Sequence, residues 1–253
     1  MQSEPVLLTI IIPLLNESSA LESLIANCRR VKSYFLDKIE FLLIDGGSQD
    51  DTLAKLQKLC PPELRFLASG PGSIGMAILK GSAEARGSFL LILPADVEIS
   101  QNQIQIVLEA AHRDLSWGFF LKQYKHVSWF LSLYSGLQNR VRSQWGRNFV
   151  WTNVPVFHRR YVPLVPTTGF LEDVVLSDRL KKQSAGTVWS ERVSVDVRKY
   201  TKDGVLMRSW QNFIILILFR LKWADVDQLS LLYRGQIRLS EVLKSSWRGN
   251  AKK

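Results

Sequence analysis

The chain has 253 residues, of which 46% are hydrophobic, so it is long enough for one large α/β domain, alone or with a small appendage. Its two cysteines, Cys28 and Cys60, are too few for a disulfide framework and lack the spacing of metal ligands, which suits a reducing compartment. The net charge of +10 indicates a polyanionic partner, either a phosphate ligand or an anionic lipid surface. The basic residues form no nucleic-acid-binding motif, so we expect no nucleic-acid partner.

The most apolar run of the chain, 213–219, is seven residues long and too short to span a bilayer. Trp210, Arg220, Lys222 and Trp223 flank it. Two interpretations stay open. The run forms a helix packed in the core, which we favour, or residues 210–223 make peripheral contact with a membrane, where tryptophan and basic residues gather.

The first hundred residues alternate between apolar, β-branched runs and amphipathic segments. Short strands are predicted at 7–13, 39–44 and 64–68, and a fourth begins at 90. Helices are predicted from 19, from about 50 and from about 73, and the first begins with a capping box at Ser19 to Glu22. Right-handed crossovers between these strands require a doubly wound, mostly parallel sheet with helices on both faces, so the fold class is α/β.

The second half of the chain is less regular. Strands are predicted at 117–127, 149–158 and 187–198, helices at 102–113, 130–144 and 170–182, a loop at 163–169, and helical structure from 204 onward. Glu172 and Asp173 lie in the first turn of the 170–182 helix, where the helix dipole favours negative charge. Because no linker stands out, we expect a single domain over 1–235, followed by a basic tail at 236–253.

Polar residues follow three of the predicted strands. Asn16, Asp45 and Asp96 each come just after an apolar run, and parallel strands bring their carboxyl ends to one edge of the sheet, where ligands of open α/β sheets bind. Asp96 and Glu98 are therefore candidates to hold a hard divalent cation, which in turn binds the phosphates of a nucleotide. The alternative for Asp45 is a turn cap, and for Asn16 and Glu17 it is local helix-start chemistry.

Three segments, at 10–17 (IIIPLLNE), 43–52 (LIDGGSQDDT) and 83–96 (AEARGSFLLILPAD), resemble the family 2 glycosyltransferases, whose fold is called GT-A. The segment at 168–177 is similar to the one that carries the family's catalytic carboxylate, and the segment at 198–204 resembles a basic, aromatic element downstream of it. The resemblance covers roughly residues 6–235. It is nearest to a compact single-domain subgroup with an Asp-Gly-Gly-Ser turn.

This resemblance implies transfer of a sugar from a nucleotide-diphosphate sugar to an acceptor hydroxyl, with inversion at the anomeric carbon. It divides the domain into a nucleotide-sugar-binding half, 1–100, and an acceptor half, 101–235. It also implies a cytoplasmic enzyme whose acceptor is in many relatives lipid-linked, which would place it at the inner face of the membrane, and it leaves a homodimer open. The residues that it singles out are, for the nucleotide sugar, Pro13, Asn16, Glu17, Asp45, Gly46 and Arg198; for Mg²⁺ or Mn²⁺, Asp96 and Glu98; and for catalysis, Asp173 and Glu172.

The sequence departs from the family pattern in two places. Where many members have two acidic residues at the metal site, this chain has Pro94-Ala-Asp96, and the segment 72–81 is apolar where relatives are polar or charged. An inactive relative that still binds the nucleotide sugar is therefore the leading alternative. A nucleotidyltransferase and a non-enzymatic protein bound peripherally to membranes are two further alternatives.

Overall fold

The computed structural model describes residues 5–113, 115–124, 136–137, 139–140, 146–196 and 205–242. The chain divides into two compact units, residues 1–196 and residues 197–253. Most of the helix predicted at 130–144 lies outside the described residues, and so does Arg198.

The first unit is built on a single sheet. Its described strands are β1 (Leu8–Leu14), β2 (Ile39–Asp45), β3 (Arg65–Ala68), β4 (Phe89–Ile92), β5 (Val97–Glu98), β6 (Trp117–Tyr124), β7 (Val156–His158) and β8 (Thr187–Val195). They lie in the order β3-β2-β1-β4-β7-β6-β8-β5. The four strands from β3 to β4 are parallel, as predicted. Beyond them β7 is antiparallel to both β4 and β6, whereas β8 is parallel to β6 and antiparallel to β5.

Helices cover both faces of this sheet. They are α1 (Leu21–Phe35), α2 (Thr52–Leu59), α3 (Ile74–Glu84), α4 (Gln101–His112) and α5 (Glu172–Lys181). The apolar face of α1 packs with that of α4 in one hydrophobic cluster, while α3 and α5 contribute to a second cluster on the opposite face. Strands β1, β2 and β4 are buried throughout nearly their whole length because both of their faces are covered.

Two local predictions are wrong. The first helix begins at Leu21, with Ala20 as its N-cap and no side-chain cap, so Ser19 forms no capping box. The backbone just before it is held instead by the loop after β2, because the N–H of Glu17 donates to Thr52 Oγ1. This hydrogen bond between distant segments takes the place of the predicted capping box.

The strand predicted at 149–158 is restricted to Val156–His158. Residues Trp151–Asn153 form a 3-10 turn, because the Asn153 side chain accepts from the N–H of Val150 at 3.1 Å and donates to the carbonyl of Phe120 at 2.8 Å. A longer 3-10 helix, Arg159–Leu164, follows β7 and overlaps the first two residues of the predicted 163–169 loop.

The second unit contains α6 (Val205–Arg220) and α7 (Val226–Tyr233). Asp225 caps α7 in a capping box with Gln228, and Gln211 of α6 donates to the last carbonyls of α7, Leu232 and Tyr233. None of the helices in the described part of the chain has the length and apolar character needed to cross a membrane.

Candidate active site

The loops that follow β1 and β2 are joined by hydrogen bonds at the carboxyl edge of the sheet. The N–H of Asn16 donates to Ser48 Oγ at 2.9 Å, and the N–H of Gln49 donates back to Asn16 Oδ1 at 2.8 Å. The N–H of Glu17 donates to Thr52 Oγ1 at 2.8 Å. Asn16 has a φ of 56°, a left-handed conformation that asparagine tolerates better than most residues. The predicted convergence of these two polar turns is therefore present in the structure.

Asp45, the last residue of β2, is buried and shapes the turn that follows it. Its Oδ2 accepts from the N–H groups of Gly47 and Ser48 at 3.1 and 3.2 Å, and its Oδ1 accepts from Ser48 Oγ. Gly47 has a φ of +85°, and a Cβ there would lie 2.7 Å from the nitrogen of Pro71, so only glycine fits. The carboxylate of Asp45 thus fixes the turn that contains Gly46 and Gly47. This turn lies against the loop that follows β3.

Asp96 lies beyond β4, on the other side of β1 from Asp45. The N–H of Leu93 donates to the carbonyl of Ile11 at 2.9 Å, which carries the parallel pairing one residue past the end of β4. The chain then turns at Pro94, and the carbonyl of Asp96 accepts from the N–H of Asp196 at 2.9 Å. This places the half-buried Asp96 between the parallel half of the sheet and the end of β8.

Glu98 lies in β5, and its side chain is exposed. Its Oε1 is 3.5 Å from Nη2 of Arg30 in α1, so this carboxylate already has a cationic partner. The assignment of Glu98 as a metal ligand stays a prediction.

The start of α5 contacts the start of α3 through Glu172. This carboxylate is 4% exposed, and its Oε2 accepts from the N–H of Gly75 at 2.8 Å while its Oε1 accepts from the N–H of Gly169 at 3.0 Å. Asp173 follows in the first turn of α5 and is half-buried, with Oδ1 2.8 Å from the N–H of Val174. Glu172 therefore fixes the first turn of α5, which includes Asp173, against the first turn of α3.

The described residues that the sequence predicts to bind the nucleotide sugar lie together. Asn16, Glu17, Asp45 and Gly46 share one hydrogen-bonded edge, with Pro13 half-buried in β1 beside them. Sequence reasoning missed Gly75 as the partner of Glu172, and it missed Ser48 and Asp50 as acceptors for the loop that follows β1. The Ser-x-Asp-x-Thr spacing at 48, 50 and 52 was the available signal that one loop offers acceptors to another.

The site's chemistry fits a hard divalent cation held together with a substrate. Among the described residues, no cluster of three or more histidine, cysteine, aspartate or glutamate side chains is arranged as a metal site. Mg²⁺ and similar ions are nevertheless commonly bound by one or two carboxylates plus substrate phosphates. Asp96, a carboxylate just beyond a parallel strand, has the chemistry that this kind of binding needs.

A sheet with a parallel half continued by a mixed half is the architecture of the GT-A glycosyltransferases, and solved structures share it. The mannosyltransferase PcManGT from Pyrobaculum calidifontis, in complex with GDP-Man and Mn²⁺, superposes with a TM-score of 0.65 at 14% identity, over 99% of this chain and 77% of that one. Glucosyl-3-phosphoglycerate synthase from Mycobacterium tuberculosis, with Mn²⁺, UDP and glucosyl-3-phosphoglycerate, superposes with a TM-score of 0.52 at 18% identity, over 75% and 71% of the two chains. The predicted GT-A fold is confirmed.

The sequence comparison identifies the family. The profile described as Glycosyl transferase family 2 matches residues 9–158, more than half of the chain, so this chain belongs to glycosyltransferase family 2. It is 25% identical to an undecaprenyl-phosphate 4-deoxy-4-formamido-L-arabinose transferase of Aeromonas hydrophila subsp. hydrophila, over 53% of this chain. The chain spans only 42% of the length of that relative.

Proposed function

We propose that this protein transfers a sugar from a nucleotide-diphosphate sugar to an acceptor hydroxyl, with inversion at the anomeric carbon. The observation that carries the proposal is a series of contacts between segments that follow the parallel strands. The loops after β1 and β2 are joined by hydrogen bonds, Gly47 lies against Pro71 in the loop after β3, and the start of α3 binds the start of α5 through Gly75 and Glu172. The membership of family 2 supports it. So do the structural neighbours, which hold GDP-Man with Mn²⁺ or UDP with Mn²⁺.

In this proposal the joined edge binds the donor. Pro13, Asn16, Glu17, Asp45 and Gly46 line the nucleoside pocket, and Arg198, outside the described residues, binds phosphate. Polar backbone and side-chain groups fixed by their own hydrogen bonds are suited to this task, because they lose little freedom when a ligand binds.

Asp96 would hold Mg²⁺ or Mn²⁺, with Glu98 as a second ligand in the proposal. When bound, such an ion supplies a positive charge that offsets the negative charge developing on the departing diphosphate. The leaving nucleoside diphosphate gains negative charge as its bond to the sugar breaks, so groups that favour this charge accelerate the reaction.

Asp173 is the proposed general base, and Glu172 the residue that positions it. The acceptor oxygen attacks the anomeric carbon, its proton passes to the Asp173 carboxylate, and the bond from that carbon to the diphosphate oxygen breaks on the opposite face. Both oxygens of Glu172 accept backbone hydrogen bonds, so the proposal assigns proton transfer to its neighbour.

The acceptor is proposed to be lipid-linked, because the Aeromonas relative is a transferase to undecaprenyl phosphate. If the attacking atom is the oxygen of a lipid phosphate, it is already anionic and needs no base. The role of Asp173 therefore depends on a hydroxyl acceptor, and its replacement tests this directly.

The test measures sugar transfer and donor hydrolysis from UDP- and GDP-sugars with Mn²⁺ or Mg²⁺. Asp173→Asn should lower kcat by roughly 10²- to 10⁴-fold, the usual contribution of a general base, and leave stability nearly unchanged. Glu172→Gln should instead lower the free energy of unfolding by about 1–3 kcal/mol, since its amide group would place a donor against a backbone N–H.

Two results would contradict the proposal. Turnover that survives in Asp173→Asn would remove the base assignment and favour an anionic acceptor. Donor binding with no turnover in the wild-type protein, across all donors and acceptors tried, would favour an inactive relative.

A further inference from the structure

One face of α6 carries large apolar side chains that the fold leaves exposed. Trp210, Phe213, Ile217 and Leu221 recur every three or four residues, so they line one side of the helix and its end, and each is 39–61% exposed. Trp223 lies just beyond, also exposed. We call these five residues the α6 stripe. Within the run 213–219, Ile215 and Leu218 are fully buried, so this helix has one buried side and one exposed side.

The residues at the ends of the α6 stripe and beside it are typical of a helix that binds a lipid surface. Tryptophan stands at both ends, and the rings of Trp210 and Phe213 are in contact, with centroids 5.7 Å apart. The sequence has no aspartate or glutamate between 205 and 224, whereas Arg220 and Lys222 are exposed at the C-terminal end of the helix. An amphipathic helix with tryptophan and basic residues beside its apolar face binds in the interface of anionic membranes.

Charge and size favour a membrane over a second copy of this chain. The chain carries a net charge of +10, so two copies that meet at this basic face would repel each other. A stable dimer interface also buries about 800 Å² per partner from roughly 20–30 residues, whereas the α6 stripe offers five large side chains. A bilayer rich in anionic lipid complements both the charge and the apolar side chains.

We propose that the α6 stripe docks this protein on an anionic lipid bilayer, with α6 lying in the plane of the interface. This goes beyond the proposed sugar transfer, because it requires neither donor nor acceptor. The apolar side chains enter the boundary between headgroups and acyl chains, and the basic residues remain at the level of the anionic headgroups.

Flotation of the full chain with vesicles tests this docking. The vesicles contain phosphatidylcholine with or without phosphatidylglycerol. We expect the wild-type protein to float with the anionic vesicles, to float less in about 0.5 M NaCl because salt screens the attraction, and to float little with neutral vesicles. Phe213→Gln combined with Ile217→Gln should weaken binding roughly tenfold or more, because two apolar side chains no longer enter the lipid. Glutamine keeps the helix propensity high.

The matched control is Tyr34→Gln combined with Leu36→Gln. These two side chains are exposed by 64% and 67%, but lie on α1 and the turn after it, so their replacement should leave vesicle binding unchanged. The thermal shift with a donor sugar and Mn²⁺ should be the same in both double variants, which separates this inference from the proposed sugar transfer.

Failure of the wild-type protein to float with anionic vesicles would overturn the proposal. So would unchanged binding of the α6 double variant, or equal binding to neutral vesicles. If size-exclusion chromatography with light scattering shows a dimer that the α6 double variant dissolves, the stripe is an interface between copies and the proposal is wrong.

Discussion

Asp50 shows how a single exposed side chain holds the loop that we assign to the donor. Its Oδ2 accepts from the N–H of Ser18 at 3.2 Å, and its Oδ1 accepts from the N–H and hydroxyl of Thr52. Desolvation acts to raise the pKa of Asp50, but the hydrogen bonds from Thr52 and Ser18 outweigh it and lower the pKa to about 2. The charged form is therefore the one that the folded loops favour.

This shift predicts a dependence of stability on pH. An aspartate in the unfolded chain has a pKa of about 4, so ionised Asp50 stabilises the fold above about pH 4, and this contribution is lost as the pH falls toward 2. Asp50→Asn should lower stability at pH 7, and the difference from the wild type should shrink between pH 4 and 2. Urea unfolding at several pH values measures this difference.

Asp51→Asn is the control for this prediction. Asp51 is the N-cap of α2 but its side chain makes no capping hydrogen bond, so its replacement should have a much smaller effect. A difference between Asp50→Asn and the wild type that stays constant from pH 7 to pH 2 would contradict the assignment.

At the scale of elements, the contact between α3 and α5 depends on the absence of a side chain at Gly75. A Cβ there would lie 1.9 Å from the carbonyl oxygen of Pro166 and 2.8 Å from Oε1 of Glu172. Because the first of these atoms belongs to the backbone, the segment before α5 must move for any larger residue to fit. The close approach lets the N–H of Gly75 reach Glu172.

Gly75→Ala should therefore destabilise the protein, although alanine favours helix by about 1 kcal/mol over glycine. We expect a net loss of about 2 kcal/mol or more, because the change separates the two elements and removes the hydrogen bond that Gly75 donates to the buried carboxylate of Glu172. Gly81→Ala in the same helix is the control, since its Cβ would meet only side-chain atoms of Ile11 at 3.1 Å. It should change stability by at most about 1 kcal/mol.

Urea unfolding of both variants measures the two effects. Equal stability of Gly75→Ala and Gly81→Ala would show that the start of α5 is not held against α3 in the way described.

At the scale of the whole molecule, donor binding should stabilise the folded protein, because a ligand that binds only the native state raises the melting temperature. At a donor concentration of about one hundred times Kd the gain is about 2.7 kcal/mol, which for a chain of this size raises Tm by roughly 5–10 °C. We expect such a shift with a UDP- or GDP-sugar in the presence of Mn²⁺.

Asp96→Ala should abolish the part of this shift that depends on Mn²⁺, and the nucleotide alone should still give a smaller shift. Glu98→Ala is the comparison, and it tests whether the ion pair with Arg30 leaves this carboxylate any role in metal binding. Differential scanning fluorimetry with and without Mn²⁺ and EDTA measures these shifts. A metal-dependent shift that persists unchanged in Asp96→Ala would refute the metal assignment.

Much of the first half of the fold was predictable from the sequence. The spacing of apolar residues predicted β1 to β4 and the buried face of α1. On that face, Leu21, Leu24 and Cys28 all lie in the core. The handedness of crossovers then required the parallel arrangement that the structure shows. The order of the strands beyond β4 could not be predicted from the sequence. There the pairing of strands depends on long connections, which local sequence patterns do not specify.

The sequence by itself therefore determined which polar residues end the parallel strands, since periodicity and chain direction are local properties. Only the tertiary structure decided what those residues contact. Glu172 meets Gly75 across 97 positions of the chain, Glu98 pairs with Arg30, and Asn16 bonds to Ser48 instead of starting a helix alone. These contacts form only when distant segments pack together, because buried carboxylates and N–H groups need hydrogen-bond partners.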